Sequence, residues 1–250
     1  MLILAYIAVV VFALASLVIG TRLLHMWWRT RKLPELLIGL AFLLEAFFTN
    51  VLNALEKFSH GWPDLGQASL RFGVVASGCA AAVCLAVGAW RVFRPRDAWA
   101  RHLTWLCVAL MVAYTVDTCF VHHGPRGPRN LAWWWASILG RAGSHAWMGG
   151  EAFLYARQMQ RRIRLGLADP VIADRMFLWS YAGAATTLLW LGAGVARTLG
   201  GAAGLQHPAT LQFIAAMGIV ATVTNWLVFM APQAYIQGVR RRAARLVRVA

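Results

Sequence analysis

The strongest constraint on the fold of this chain is a set of seven long, mostly apolar runs separated by short polar loops. Each run exceeds 20 residues, the length that an α-helix needs to cross a bilayer core. Backbone groups in lipid must be hydrogen-bonded within the spanning structure, so such runs are expected to be helices. The sequence predicts an all-α polytopic membrane protein with seven transmembrane helices, over Leu2–Leu24, Pro34–Leu55, Leu70–Val92, Ala100–Val121, Leu131–Arg164, Val171–Thr198 and Ala209–Tyr235.

The basic residues predict the orientation of these helices. The loops after the first, third and fifth runs, together with the C-terminal tail, hold 18 lysines and arginines, and the other side holds 5. The positive-inside rule therefore places the N-terminus outside and the C-terminus in the cytoplasm. The net charge of +15 is explained by this asymmetry, so no nucleic-acid partner is expected. Residues 1–235 are interpreted as one transmembrane domain, and Ile236–Ala250 as a basic amphipathic tail on the membrane surface.

The segment LGLADPVIADRMFLW, Leu165–Trp179, resembles a segment of uncharacterised bacterial seven-helix inner-membrane proteins. That resemblance implies the inner membrane of a bacterium and brings no function with it. The topology resembles that of rhodopsin-like proteins and receptors, and Pro232–Tyr235 is similar to the PxxY ending of G-protein-coupled receptors. Retinal proteins carry a Schiff-base lysine in the last helix, and the last run has no lysine. Retinal is thus not expected, and no other cofactor is assigned.

The fifth run carries Arg141, His145 and Glu151 in otherwise apolar sequence. A charged group at the bilayer centre costs about 2.5–3.5 kcal/mol or more, so this face should look into the bundle or a wet cavity. Glu45 and Asp117 lie within other runs, and Glu45 matches Arg141 in depth. We therefore expect a ligand or proton site among these five residues, with Glu45 and Arg141 paired directly or through water. Polar contacts that only hold helices together are the alternative.

Histidines near the predicted outer surface are a candidate metal site. His122 and His123 follow the fourth run, and Asp117 lies one helical turn before His122. Imidazole and carboxylate groups bind zinc or copper. The spacing matches no established metal signature, so solvated loop histidines are the alternative. The sequence contains neither GxSxG nor HExxH, so a hydrolytic enzyme is not favoured.

Three classes of function follow from these features. The first is a sensor or receptor-like module that signals through a partner chain at the basic cytoplasmic face, because the loops are too short to form an output domain. The second is a small-solute or proton-coupled transporter, because Pro34 and Pro170 open the second helix of two similar halves. The third is a metal, redox or structural subunit of a membrane complex. Homo-oligomers are also possible through small residues on the back of the fifth run, namely Ala132, Ala136, Gly143 and Gly150.

Overall fold

The computed structural model describes residues 2–59, 63–121, 131–163 and 165–249, with side chains throughout except at 2–6, 202 and 245–249. Helix accounts for 92% of the structure, and the described residues contain no strand. The α-helices are α1 (Leu2–Thr30), α2 (Leu33–Ala41), α3 (Thr49–Phe58), α4 (Asp64–Phe93), α5 (Ala98–Val116), α6 (Leu131–Ile163), α7 (Pro170–Gly204), α8 (Pro208–Met230) and α9 (Gln233–Val249).

Two π-helices continue α-helices without a break. The first, Phe42–Phe48, joins α2 to α3, and the second, Asp117–Val121, extends α5. The described helices thus form seven long rods plus α9, and consecutive rods pack antiparallel. The second rod consists of α2, the first π-helix and α3, and the fourth consists of α5 and the second π-helix. The antiparallel contacts include Gly20 with Leu43, Leu52 with Gly73, Thr104 with Ala86, Met111 with Gly140, Thr187 with Ala142 and Gly192 with Phe213.

Five of the rods are long and apolar enough to cross a membrane: Ile7–Thr30, Leu33–Phe58, Asp64–Phe93, Ala98–Val121 and Pro208–Met230. The two rods outside this set are α6 and α7, which the sequence also predicts to be spans. Both helices are longer than 30 residues, so length does not exclude them. They are less apolar because α6 carries Arg141, His145 and Glu151, and because α7 is rich in glycine and threonine and contains Trp-Ser-Tyr at residues 179–181.

Helices α6 and α7 pack with their backbones in direct contact. A Cβ on Gly183 would lie 2.8 Å from the Cα of Gly149 and 2.9 Å from the carbonyl oxygen of His145. Only glycine lets the two backbones come this close. Gly143 and Gly150, which the sequence places on the back of the same helix, are exposed and have no neighbour within 4 Å of a Cβ. The prediction that the polar face of α6 looks inward is confirmed, since Arg141 is buried.

The last long helix ends earlier than the sequence predicts. The predicted span runs to Tyr235, but α8 ends at Met230, and α9 begins at Gln233. Pro232 has no N–H to donate and disfavours helical geometry at the preceding residue, so Ala231 is extended with a ψ of 127°. Tyr235 therefore belongs to the basic amphipathic helix, and its hydroxyl donates a hydrogen bond of 2.7 Å to Asp174 near the start of α7.

Candidate functional site

A cavity of about 290 Å³ lies between α1, the second rod, α6, α7 and α8. Its lining on the second rod runs from Ile38 to Asn53, which is about 22 Å at 1.5 Å per residue. Asn53 lies near the end of α3 and Leu211 near the start of α8, so the cavity reaches that end of the bundle. Most of the lining is apolar, and its charged or titratable side chains are Glu45, His145 and Arg141.

The opposite end of the cavity is closed by aromatic packing. The ring centroids of Phe42 and Phe229 are 5.6 Å apart, and those of Trp179 and Phe229 are 6.1 Å apart. This group packs against the buried Ile38 and Leu23. The cavity is therefore a pocket with an aromatic floor, and the nearest polar groups of its walls lie about one helical turn above that floor.

Glu45 lies in the first π-helix and receives two polar contacts from other helices. Its Oε2 is 3.3 Å from Nε2 of His145, and its Oε1 accepts a hydrogen bond of 3.1 Å from Nε1 of Trp190. A π-helix inserts an extra residue into an α-helical path and thereby re-aims the side chains beside it. The π-helix at residues 42–48 thus accompanies the inward placement of Glu45. Within this region the hydroxyl of Thr49 donates a hydrogen bond to the carbonyl oxygen of Leu44, five residues earlier.

The hydrogen bonds of His145 define how a proton is held in this pair. Its Nδ1 is 2.9 Å from the carbonyl oxygen of Arg141, and a carbonyl oxygen only accepts, so Nδ1 carries a hydrogen. Nε2 faces a carboxyl oxygen of Glu45, and two bare acceptors would repel each other. One further proton therefore lies between them, on His145 or on Glu45. In either state the Glu45–His145 pair is neutral overall.

Arg141 is 8% exposed and lies over the face of Trp190, with its guanidinium carbon 4.8 Å from the ring centroid. Its guanidinium also packs against α4, where a Cβ on Gly78 would lie 2.5 Å from Nη2. Arg141 and Glu45 form no ion pair among the described residues, so the direct pairing predicted from their depth is not present. His145, one helical turn further along α6, makes that contact instead.

The other two acidic residues predicted for the site lie elsewhere. Glu151 accepts a hydrogen bond of 2.8 Å from Nε of Arg94, in the loop after α4, and does not line the cavity. The hydrogen bond and charge of Glu151 raise the pKa of Arg94 above its usual value. Asp117 is buried at the start of the second π-helix and is likewise absent from the lining. The structure thus brings together three of the five predicted residues.

The metal prediction falls largely outside the described residues, because His122 and His123 belong to 122–130. Within the ranges that the structure does describe, no group of three histidine, cysteine or acidic side chains could hold a metal ion.

Several polar residues of the cavity were not among the predicted site residues, and Trp190 and Asn225 are two of them. Trp190 lies in the middle of α7, and nothing in the sequence distinguishes it from the other tryptophans of the chain, which has thirteen. Asn225 is a buried amide in the last apolar run, and its Oδ1 has no hydrogen-bond partner in the described structure. An amide in the middle of an apolar run is a recognisable signal for a polar contact inside a bundle.

Comparisons with protein-family models, with curated proteins and with solved structures give no match for this chain.

Proposed function

We propose that this protein is a seven-helix receptor-like membrane module that binds a small ligand in the cavity beside Glu45, His145 and Arg141. The observation that carries the proposal is the pocket itself, which joins titratable groups from two helices to a mostly apolar chamber with aromatic packing at one end. Concave, mostly apolar pockets with a few convergent polar groups are the usual form of small-molecule sites. At about 290 Å³ this cavity suits a small ligand.

The proposal includes seven spans in a bacterial inner membrane, with the N-terminus outside. In that arrangement α6 and α7 cross the bilayer, with Arg141, His145 and Trp190 facing the cavity. The basic residues after α1, α4 and α6 and those of α9 would then face the cytoplasm. The cavity would be reached from the outer side, because its lining extends to the end of the bundle where α8 begins.

A route from the cavity to the basic face runs along α7. Trp190, in the middle of α7, contacts Glu45 in the cavity. Asp174, near the start of the same helix, accepts a hydrogen bond from Tyr235 of α9. Ligand-dependent movement of α7 would therefore change how α9 is held. A partner chain that reads the position of α9 would supply the output.

The test is a binding screen with a variant that fills the cavity. Gly218 lines the cavity, and a Cβ there meets nothing within 4 Å, so the side chain of Gly218→Phe is expected to begin in open space and to fill part of the pocket. Gly143→Phe is the matched control, because Gly143 is exposed, has the same open surroundings and lies outside the lining. Purified proteins in detergent are heated with amino acids, sugars, amines, alcohols and carboxylates.

A ligand of the cavity raises the unfolding temperature of the wild type and of Gly143→Phe but leaves Gly218→Phe unchanged. If no compound class distinguishes Gly218→Phe from the control, the receptor proposal is wrong. Flux of each binding compound is then measured in proteoliposomes, where a receptor is expected to show none.

A proton-coupled transporter is the second candidate, and the shared proton of Glu45 and His145 favours it. A transporter closed toward the cytoplasm would have the same aromatic floor. Uptake into proteoliposomes that responds to a proton gradient and is lost in Gly218→Phe would support transport over sensing.

A further inference from the structure

We infer that the ligand of the cavity is a small organic monocarboxylate whose carboxylate is bound by Arg141. This inference rests on the proposed function, since it names the ligand class of the same pocket. Its starting point is the unused hydrogen-bonding capacity of Arg141, which is more than nine-tenths buried. A guanidinium offers five N–H donors, and a buried donor without an acceptor costs about 1–3 kcal/mol or more when charged.

Within the described structure the guanidinium of Arg141 donates no hydrogen bond. Its Nε is fully buried without an acceptor, one face of the group lies on Trp190, and Gly78 supports it from α4. These contacts hold the group in place without neutralising it. Arginine in such a position is oriented for bidentate contact with a planar anion.

The charges of the cavity lead to the same class of ligand. Glu45 is the only carboxylate among the described residues of the lining, and both of its oxygens already contact His145 and Trp190. Since Glu45 and His145 share one proton, their pair is neutral wherever that proton lies. Arg141 is therefore the uncompensated positive charge of the pocket. A buried cation without a counter-charge is costly, and a single anionic group on the ligand removes the cost.

The remainder of the lining indicates the body of the ligand. Most of it is apolar, with Phe12, Leu189, Leu211 and Ile214 beside several alanines, and its neutral polar side chains are Thr49, Asn50, Asn53, Thr186 and Asn225. A mostly apolar lining favours an aromatic or aliphatic body over a sugar, whose many hydroxyls would each need a partner, and the described residues of the lining offer no second cation for a dicarboxylate. The cavity lies at the lower end of the size range of ligand pockets, about 300–1,000 Å³, so the body is expected to be small.

Benzoate, hexanoate, benzamide and benzylamine are suitable probes, with binding followed by tryptophan fluorescence in detergent. Benzoate and benzamide have nearly the same shape and differ in charge. We expect benzoate to bind about tenfold or more tightly than benzamide, because a charge-assisted hydrogen bond is replaced by a neutral one. Benzylamine is expected not to bind. Arg141→Gln is expected to abolish the preference for benzoate over benzamide.

Two further variants separate loss of the site from loss of the fold. Arg197→Gln removes a guanidinium that also lies over a tryptophan, 4.4 Å from the ring centroid of Trp134, outside the cavity lining, and should retain the preference. Gly78→Ala keeps the charge of Arg141 but displaces its Nη atoms, and is expected to weaken benzoate more than benzamide.

The possible outcomes bear differently on the two proposals. Absence of binding by both benzoate and hexanoate at millimolar concentration overturns the inference, and so does equal or tighter binding of benzamide. In those cases a neutral or cationic compound that protects Gly143→Phe and not Gly218→Phe would leave the receptor proposal standing. A preference for benzoate that survives Arg141→Gln would also overturn the inference, because the anion would then be held by another group.

Discussion

Gly183→Ala is expected to destabilise the bundle, although alanine is the better helix former. The added Cβ would lie 2.8 Å from the Cα of Gly149 and 2.9 Å from the carbonyl oxygen of His145. Both are backbone atoms, so the strain is relieved only if α6 and α7 move apart. Overpacking of this kind costs about 1–3 kcal/mol, and the higher helix propensity of alanine returns about 0.5–1 kcal/mol. The net loss in the free energy of unfolding is therefore expected to lie between about 0 and 2.5 kcal/mol, with a central value of about 1 kcal/mol.

The assay is equilibrium unfolding in mixed detergent micelles at increasing SDS, followed by circular dichroism. Gly143→Ala and Gly150→Ala are the controls, because a Cβ at either position meets nothing within 4 Å. Both are expected to be as stable as the wild type or up to about 1 kcal/mol more stable, because alanine is the better helix former. If Gly183→Ala is as stable as these two variants, the backbones of α6 and α7 are not in contact at Gly149 and Gly183.

Two further substitutions test polar contacts of α7, one in the middle of the helix and one near its start. Trp190→Phe is expected to lower the free energy of unfolding by about 1.5–3 kcal/mol more than Trp134→Phe. The reason is that Nε1 of Trp190 donates to the Glu45 carboxyl, whereas Nε1 of Trp134 has no partner in the described structure. Equal losses for the two variants in the same unfolding assay would contradict this. Burial and the Asp174 carboxylate raise the pKa of Tyr235 from 10 to about 12, so the neutral phenol contributes stability that is present below pH 10 and lost as the pH rises through about 12. Asp174→Asn is expected to bring that pKa part of the way back towards 10, and an unchanged phenolate absorbance titration would show that the hydrogen bond to Tyr235 is not formed.

The architecture of the molecule was largely predictable from the sequence. Apolar runs and the loops between them predicted the seven rods, because a helix of about 20 residues is the cheapest way to satisfy backbone groups in lipid. The periodicity of 3.6 residues predicted which face of α6 is inward, and Arg141 is indeed buried while Gly143 and Gly150 are exposed. That α6 and α7 cross the membrane stays a prediction, since the five described rods that are both long and apolar enough to do so do not include them.

The composition of the site was predictable only in part. Depth along the helix axis suggested Arg141 as the partner of Glu45, but His145 lies one turn away and differs by only about 6 Å in depth. Depth cannot distinguish two such candidates, and the contact depends on rotamers and on the π-helix at Phe42–Phe48. Glu151 was predicted on the same face, yet it pairs with Arg94 from a loop, which helical periodicity does not report.

The sequence by itself determined the helical class, the order of the rods and the inward polar face of α6, because these follow from local hydrophobic periodicity and from segment length. The tertiary structure decided that Glu45, His145, Trp190 and Arg141 share one cavity and that Glu151 and Asp117 lie outside its lining. These are relations between side chains separated by up to 145 positions in the chain. They depend on how closely helices approach at glycine and on where a π-turn rotates a helix, and no local pattern encodes either.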